Sequence, residues 1–236
     1  MNKPFISFLA AAFVCVGSGF SQSITYINYL PETLTISSSG YYLVTNNLTY
    51  SANSIGSLTA IIITASDVTL DLGGYCISCS GSYSADAGCI SVNSASNVTV
   101  QNGSINGFGF GVDLYNAANS LGNIVQNLRI ANVGQGICAE QGSCLIIRNN
   151  EICGGSDELV GIQIVGAVGN VVSGNIVSGG GIYSDGGNYF LENTISNCIV
   201  GLTTGSGDQY RFNTTLSCTT PFSGSGTALT DENSPP

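Results

Sequence analysis

The chain has 236 residues, enough for one domain with a sizeable core, and only 8% of them are charged, against roughly 25% in an average soluble domain. It carries four Lys+Arg, fourteen Asp+Glu and no His, a balance that repels phosphate and so excludes nucleic acid and anionic membrane surfaces as partners. With 32 glycines and few long helix formers, the composition favours many short strands joined by tight turns.

Residues 1–21 read as a secretory signal peptide. "MNK" is a basic start, "PFISFLAAAFVCV" an apolar stretch of thirteen residues, and "GSGFSQS" supplies small residues for cleavage between Gly19 and Gln22. A lipoprotein reading would use Cys15, but Val14 stands where a small residue is wanted. The expected product is secreted or held at the cell surface, and no later stretch is long and apolar enough to span a membrane as a helix. Lys3, the only lysine, falls in this segment. The remainder therefore has three arginines (Arg129, Arg148, Arg211) against fourteen acids, a net charge of −11. It also keeps eight cysteines: Cys76, Cys79, Cys89, Cys138, Cys144, Cys153, Cys198 and Cys218. An even number in an exported chain points to disulfides. A zinc site is disfavoured by the single CxxC (Cys76–Cys79) and the absence of His.

Residues 22–58, with "SSSGYYLV", break the pattern that follows and are expected to cap it and shield its first strand edge. From 59 to 220 a phrase recurs. "NVTVQNGSINGFGFGVDLYN" returns as "NIVQNLRI", "CLIIRNNEI", "VVSGNIV", "YFLENTI" and "QYRFNTTL". A small residue opens each alternation at Gly88, Gly111, Gly136, Gly161, Gly181 and Gly201, in steps of 23, 25, 25, 20 and 20. An Asn follows 12 to 16 residues later: Asn102, Asn127, Asn150, Asn175, Asn193 and Asn213. An earlier, less regular unit starts near Ala60. Periods of this length with two short strands per unit define a solenoid. The chain lacks the L-x-x-L-x-L skeleton of leucine-rich repeats. The better fit is all-β: a single-domain right-handed parallel β-helix of about seven coils of 20–25 residues, stacked about 4.8 Å apart. The six Asn are expected to form one ladder where the strands bend, satisfying turn backbone.

The phrase "ASDVTLDLGGYCI", followed by coils such as "CISVNSASNVTVQNGSI", resembles the secreted right-handed β-helix proteins of the pectate-lyase-like superfamily, over about residues 55–220. The resemblance implies the fold. It implies little about activity, because this scaffold serves lyases, hydrolases, epimerases and adhesins.

Strand alternation then sorts the residues. Ile90, Val112, Ile137, Ile162, Ile182 and Leu202 should point inward, as should Val92, Leu114, Ala139, Ile164, Ser184 and Thr204. One outward column is Ser91, Asp113, Cys138, Gln163, Tyr183, Thr203; the next is Asn93, Tyr115, Glu140, Val165, Asp185, Gly205. Carboxylates and amides bond sugar hydroxyls and Tyr rings stack on sugar faces, so Tyr115, Gln163 and Tyr183 are candidate ligand contacts. Asp113, Glu140 and Asp185 are candidate catalytic acids. A single coil step of about 4.8 Å between Asp113 and Glu140 would suit a retaining glycosidase, and two steps between Glu140 and Asp185 lie near the upper limit for an inverting one. The plainer alternative is that an exposed strand face is polar in any case.

The superfamily's chemistry argues against a standard enzyme. Its lyases use calcium held by acids with an Arg or Lys base, whereas the three arginines here fall in or beside the second strand, away from the acids. Its hydrolases carry clustered Asp and a His, which are absent. Oxygen ligands are plentiful enough to keep a calcium site open, but no EF-hand loop indicates one, and no cofactor is implied. The favoured reading is an exported, non-catalytic β-helix protein contacting a polysaccharide or glycan. The alternatives are a polysaccharide hydrolase or lyase using the acidic face, and a disulfide-stabilised structural envelope component.

Cys198 and Cys218 lie twenty residues apart in units whose Asn are also twenty apart. They should stack one coil apart, within Cα reach of a disulfide. Pairing among Cys76, Cys79 and Cys89 stays open. Asn47, Asn97 and Asn213 match glycosylation sequons, which matter only in a eukaryotic secretory route. Residues 221–236, containing "FSGSGTALTDENSPP", are expected to be a flexible tail, leaving the terminal coil edge available for self-association.

Overall fold

A computed structural model describes residues 23–30, 32–51, 59–80, 87–115, 120–154 and 159–229. The expected signal peptide and the end of the tail lie outside the described residues. Among these residues all regular structure is β, and every strand pairing is parallel.

One coil shows the plan. Gln135–Glu140 forms the first face, Ile146–Arg148 the second and Glu151–Cys153 the third, after which the chain rises to Leu159–Val165 on the first face again. The first face is a nine-stranded sheet: Leu34–Ile36, Ile61–Ile63, Gly88–Asn93, Phe110–Tyr115, Gln135–Glu140, Leu159–Val165, Gly180–Ser184, Val200–Thr204 and Thr220–Gly224. The second and third faces belong to one sixteen-stranded sheet folded around a corner. Parallel strands of one sheet joined by crossovers wind right-handed, and the molecule is a right-handed parallel β-helix. Its ladders run further than about seven coils. Leu34–Ile36 and Gly40–Val44, in the expected cap, already pair into the sheets, and Thr220–Gly224 pairs with Val200–Thr204.

The core is the stack of inward side chains. On the first face Ile61, Ile90, Val112, Ile137, Ile162, Ile182 and Leu202 lie in register. On the third, Ile77, Ile105, Ile130, Ile152, Val177 and Ile195 do the same. All are buried, and each stabilises the fold by about 1.5–3 kcal/mol relative to exposure.

Where the third face turns into the first, the chain passes so tightly that a side chain does not fit. A Cβ on Gly136 would collide with the Gly161 carbonyl and lie 2.7 Å from Ile152 Cγ2. The column Gly111, Gly136, Gly161, Gly181, Gly201 occupies this corner. Gly88, however, pairs with Phe110, so Cys89 rather than Gly88 stands beside Gly111.

The corner between the second and third faces carries the Asn ladder, with a correction to its membership. Asn150 Nδ2 donates to Val125 O and to Asn175 Oδ1, both at 3.0 Å, and Asn175 Oδ1 also accepts Asn150 N–H. Asn175 repeats this toward Ile147 O and Asn193, and Asn193 toward Val172 O and Asn213. Asn102 (φ 59°) and Asn127 (φ 55°) are not ladder members. They sit one residue earlier, in the left-handed position shared by Asn149, Gly174, Glu192 and Phe212. Asn and Gly tolerate that conformation best, which is why Asn recurs there too. Gly103 and Leu128 hold the ladder position in those two coils, and Leu128 N–H donates to Asn150 Oδ1.

A second buried ladder, absent from the sequence reading, lies at the corner entering the second face. Asn123, Asn170, Asn188 and Asp208 are fully buried there. Asn170 Nδ2 donates to Asn188 Oδ1 at 2.8 Å, and Asn188 N–H donates to Asp208 Oδ1 at 2.8 Å.

Cys198 and Cys218 are neighbours, as the expected disulfide requires, but no S–S bond joins them in this structure. The two residues stack one coil apart, with Thr219 N–H donating to Cys198 O at 3.1 Å. Both are free thiols, as are the other six cysteines of the described residues. Burial and a hydrogen bond with Cys218 push the Cys198 thiol up to about 12, which leaves it neutral.

Candidate functional site

The outer side of the nine-stranded sheet gathers the expected polar residues. Ser91, Asp113, Cys138, Gln163, Tyr183 and Thr203 form one outward column, in register. Beside it Asn93, Tyr115, Glu140 and Val165 form the next. Alternation places them outside because their neighbours Val112, Leu114, Ile137 and Ala139 fill the core.

Asp113 is half-buried in this strip, between Ser91 and Cys138. Its pKa is raised to about 6: burial raises it most, the charge of Glu140 adds to the rise, and a hydrogen bond with Ser91 opposes both. That is the signature of a carboxyl able to hold or release a proton near neutrality. Asn93 Oδ1, 2.7 Å from Ser91 Oγ, competes with Asp113 for the one Ser91 hydroxyl hydrogen.

Asp113 and Glu140 do not stack directly, which corrects the expected single-step spacing. Asp113 pairs with Cys138, and Glu140 with Tyr115. The two acids are diagonal neighbours, one coil step apart along the axis and two residues apart along the strand, about 8 Å between Cα atoms. The retaining geometry expected from a direct one-coil stack therefore loses its basis.

Asp185 stands apart from the pair. Its Oδ2 accepts Gly166 N–H of the neighbouring coil at 2.7 Å, and Val165 lies between it and Glu140. Tyr115 and Tyr183 present their rings outward, 59% and 38% exposed. Gln163 Oε1 accepts Gln135 Nε2–H at 3.0 Å and the Cys138 thiol at 3.7 Å. Cys138 is buried, and burial with the charges of Asp113 and Glu140 pushes it up to about 12, so it is a neutral donor and not a nucleophile. Ser91, Gln135 and Cys138 escaped the list of candidates; the outward column already named two of them, but only side-chain geometry shows that they buttress Asp113 and Gln163. Among the described residues no set of three or more His, Cys, Asp or Glu is placed to hold a metal ion. No helix of these residues is long and apolar enough to cross a membrane.

Comparison with known proteins matches the fold. No family model matches the chain, and no curated sequence does. Alginate lyase from Paenibacillus sp. str. FPU-7 is similar over 88% of this chain and 99% of its own, with TM-score 0.52 and 12% identity. Endopolygalacturonase I from Stereum purpureum aligns over 89% and 95%, with TM-score 0.45 and 11% identity. The enzymatically active domain of bacteriophage CBA120 tailspike protein 2 aligns over 87% and 39%, with TM-score 0.38 and 12% identity. The class defined is the right-handed parallel β-helix.

Proposed function

We propose that this is an exported β-helix protein that contacts polysaccharide, without cleaving it, through the outer side of its nine-stranded sheet. The observation that carries the reading is the strip itself. Tyr115 and Tyr183 offer exposed rings beside Asp113, Glu140 and Gln163 on successive coils. Rings for sugar faces and acceptors for hydroxyls, repeated at the coil spacing, suit an extended glycan. The similar fold of an alginate lyase supports carbohydrate as the ligand class.

A second reading rests on one specific observation, the raised pKa of Asp113 beside Glu140. In it Asp113 gives its proton to the departing glycosidic oxygen. Glu140 takes a proton from water, whose oxygen attacks the anomeric carbon with inversion. Activity would then fall as pH rises through about 6, where Asp113 loses its proton.

One experiment separates the two. The purified protein is incubated with a polysaccharide panel, and both retention and new reducing ends are scored. Retention weakened by Tyr115→Ala and Tyr183→Ala, with no new ends, is expected. New ends abolished by Asp113→Asn or Glu140→Gln would replace this reading with the hydrolase. Neither signal would remove carbohydrate from the account and leave a structural envelope role.

A further inference from the structure

The third face carries a feature that the acidic strip does not use. Two depressions, of about 240 and 400 Å³, meet at Arg129 and Glu151, which line both. The first lies toward Ala131 and Cys153, the second toward Asn127 and Asn149. Between them runs one outward column, Cys76, Ser104, Arg129, Glu151 and Ile176, in register, about 19 Å long over four coil steps. The two depressions and this column together make one shallow groove. The floor is low because the outward residues beside the long Arg129 side chain are small, notably Ser104 and Ala131.

We propose that this groove is a second carbohydrate site, for a neutral glycan chain, independent of the acidic strip. Its centre is an ion pair set side-on. Arg129 Nε–H donates to Glu151 Oε2 at 2.9 Å and Nη2–H to Oε1 at 3.4 Å. The two side chains are 75% and 43% exposed, so the pair faces solvent along its length. An ion pair this exposed contributes little to stability. It does offer donors and acceptors side by side, the complement of a vicinal diol, whose hydroxyls both donate and accept.

The rest of the lining is uncharged: amides of Asn127 and Asn149, the Ser104 hydroxyl, thiols, and Ile176, which is 52% exposed. Ile176 offers apolar contact to a ring face at one end. The charge balance selects the ligand. An anionic sugar engages Arg129 only by competing with Glu151, and it approaches a chain of net charge −10. A cation meets the reverse competition from Arg129. A neutral polyol uses both partners without separating them.

The test is amide chemical-shift mapping on the full chain. The probes are the neutral tetrasaccharides cellotetraose, xylotetraose, mannotetraose and maltotetraose, with tetragalacturonate as the anionic comparator. At least one neutral probe is expected to shift Ser104, Arg129, Glu151 and Ile176. Arg129→Ala and Glu151→Gln should each weaken that binding by about tenfold or more, the loss of one hydrogen bond to a charged group. Tyr183→Ala should leave it unchanged. Unchanged unfolding midpoints, expected for so exposed a pair, show that the variants fold. Groove shifts from none of the neutral probes at millimolar concentration would overturn the proposal. So would stronger groove binding by tetragalacturonate, or indifference to both substitutions. Shifts confined to Tyr115 and Tyr183, abolished by Tyr183→Ala, would also overturn it while sustaining the acidic strip.

Discussion

The coils up to about residue 165 and the coils after it have the same shape but are held differently. In the earlier region the inward column of the first face is aliphatic throughout, ending at Ala139 and Ile164. In the later region the same column continues as Ser184 and Thr204. The corners change too. Thr99–Asn106 and Ile124–Ala131 are eight-residue strands that carry backbone pairing around the bend. From Ile146 onward each such strand is split into two of three residues, and Asn side chains close the gap. Short strands leave more backbone groups unpaired at their ends, and a buried amide supplies both a donor and an acceptor to them. The later coils thus exchange part of their apolar packing for a satisfied polar network, which tolerates loss of a member poorly.

Asn175→Ala should show the largest effect. It removes the acceptor of the buried Asn150 N–H and of one Asn150 Nδ2–H, whose other hydrogen keeps Val125 O, and it removes the donor to Ile147 O. At 1–3 kcal/mol for each unsatisfied group, reduced by local relaxation, the expected loss is about 4 kcal/mol in urea unfolding. A loss below about 1 kcal/mol would break the comparison, since the later coils would then rest on packing like the earlier ones.

Gly136→Ala comes next, at about 2–3 kcal/mol, because the new methyl is driven against the Gly161 carbonyl and Ile152. Cys89→Ala at the same corner of an earlier coil should cost only about 1 kcal/mol. Thermal denaturation of the two variants side by side checks whether the corner tightens after the first coils.

Most of this was legible in the sequence. The inward and outward columns follow from alternation, because slipping by one residue would turn a buried Ile such as Ile137 into water. The corners were harder to read. Asn127 and Asn150 look alike in the phrase, yet one is exposed in a left-handed turn and the other buried in the ladder. Asn serves both purposes for different reasons, and turn length varies between coils, so spacing alone misassigns them. The second ladder was hidden because Val98 and Leu145 interrupt it in alternate early coils. The Asp113–Glu140 diagonal needed the register to the residue, and the Arg129–Glu151 groove needed pairing between strands that split differently in successive coils.

Asp208 closes the second ladder where the pattern calls for Asn, and the smaller effect of Asp208→Asn tests why. Its Oδ1 accepts from Ser184 Oγ–H and Asn188 N–H, and its Oδ2 from Gly205 N–H at 2.7 Å. All three partners donate, so a residue with two acceptor oxygens is required. An Asn amide would set N–H against N–H at Gly205, with an expected loss of about 1–2 kcal/mol. Equal or greater stability in the variant would show that the later coils carry this carboxylate for something other than the fold.

Asp113, the half-buried acid of the earlier region, has fewer such donors and should behave oppositely. Its pKa is raised from 3.8 to about 6, so the fold favours the protonated form. The stability this provides is complete below about pH 4 and is lost as pH rises through about 6. Asp113→Asn keeps the shape and removes the titration. The variant should therefore match the parent near pH 4 and exceed it at pH 7, by less than about 1 kcal/mol once solvent screening at a half-exposed site is allowed for. Unfolding midpoints of both proteins between pH 4 and pH 7 measure this. A gap that opens with rising pH means that ionising Asp113 opposes folding, as its burial and the nearby Glu140 require. A constant gap means that the strip has no tuned acid, which would remove the hydrolase reading and leave the contact surface.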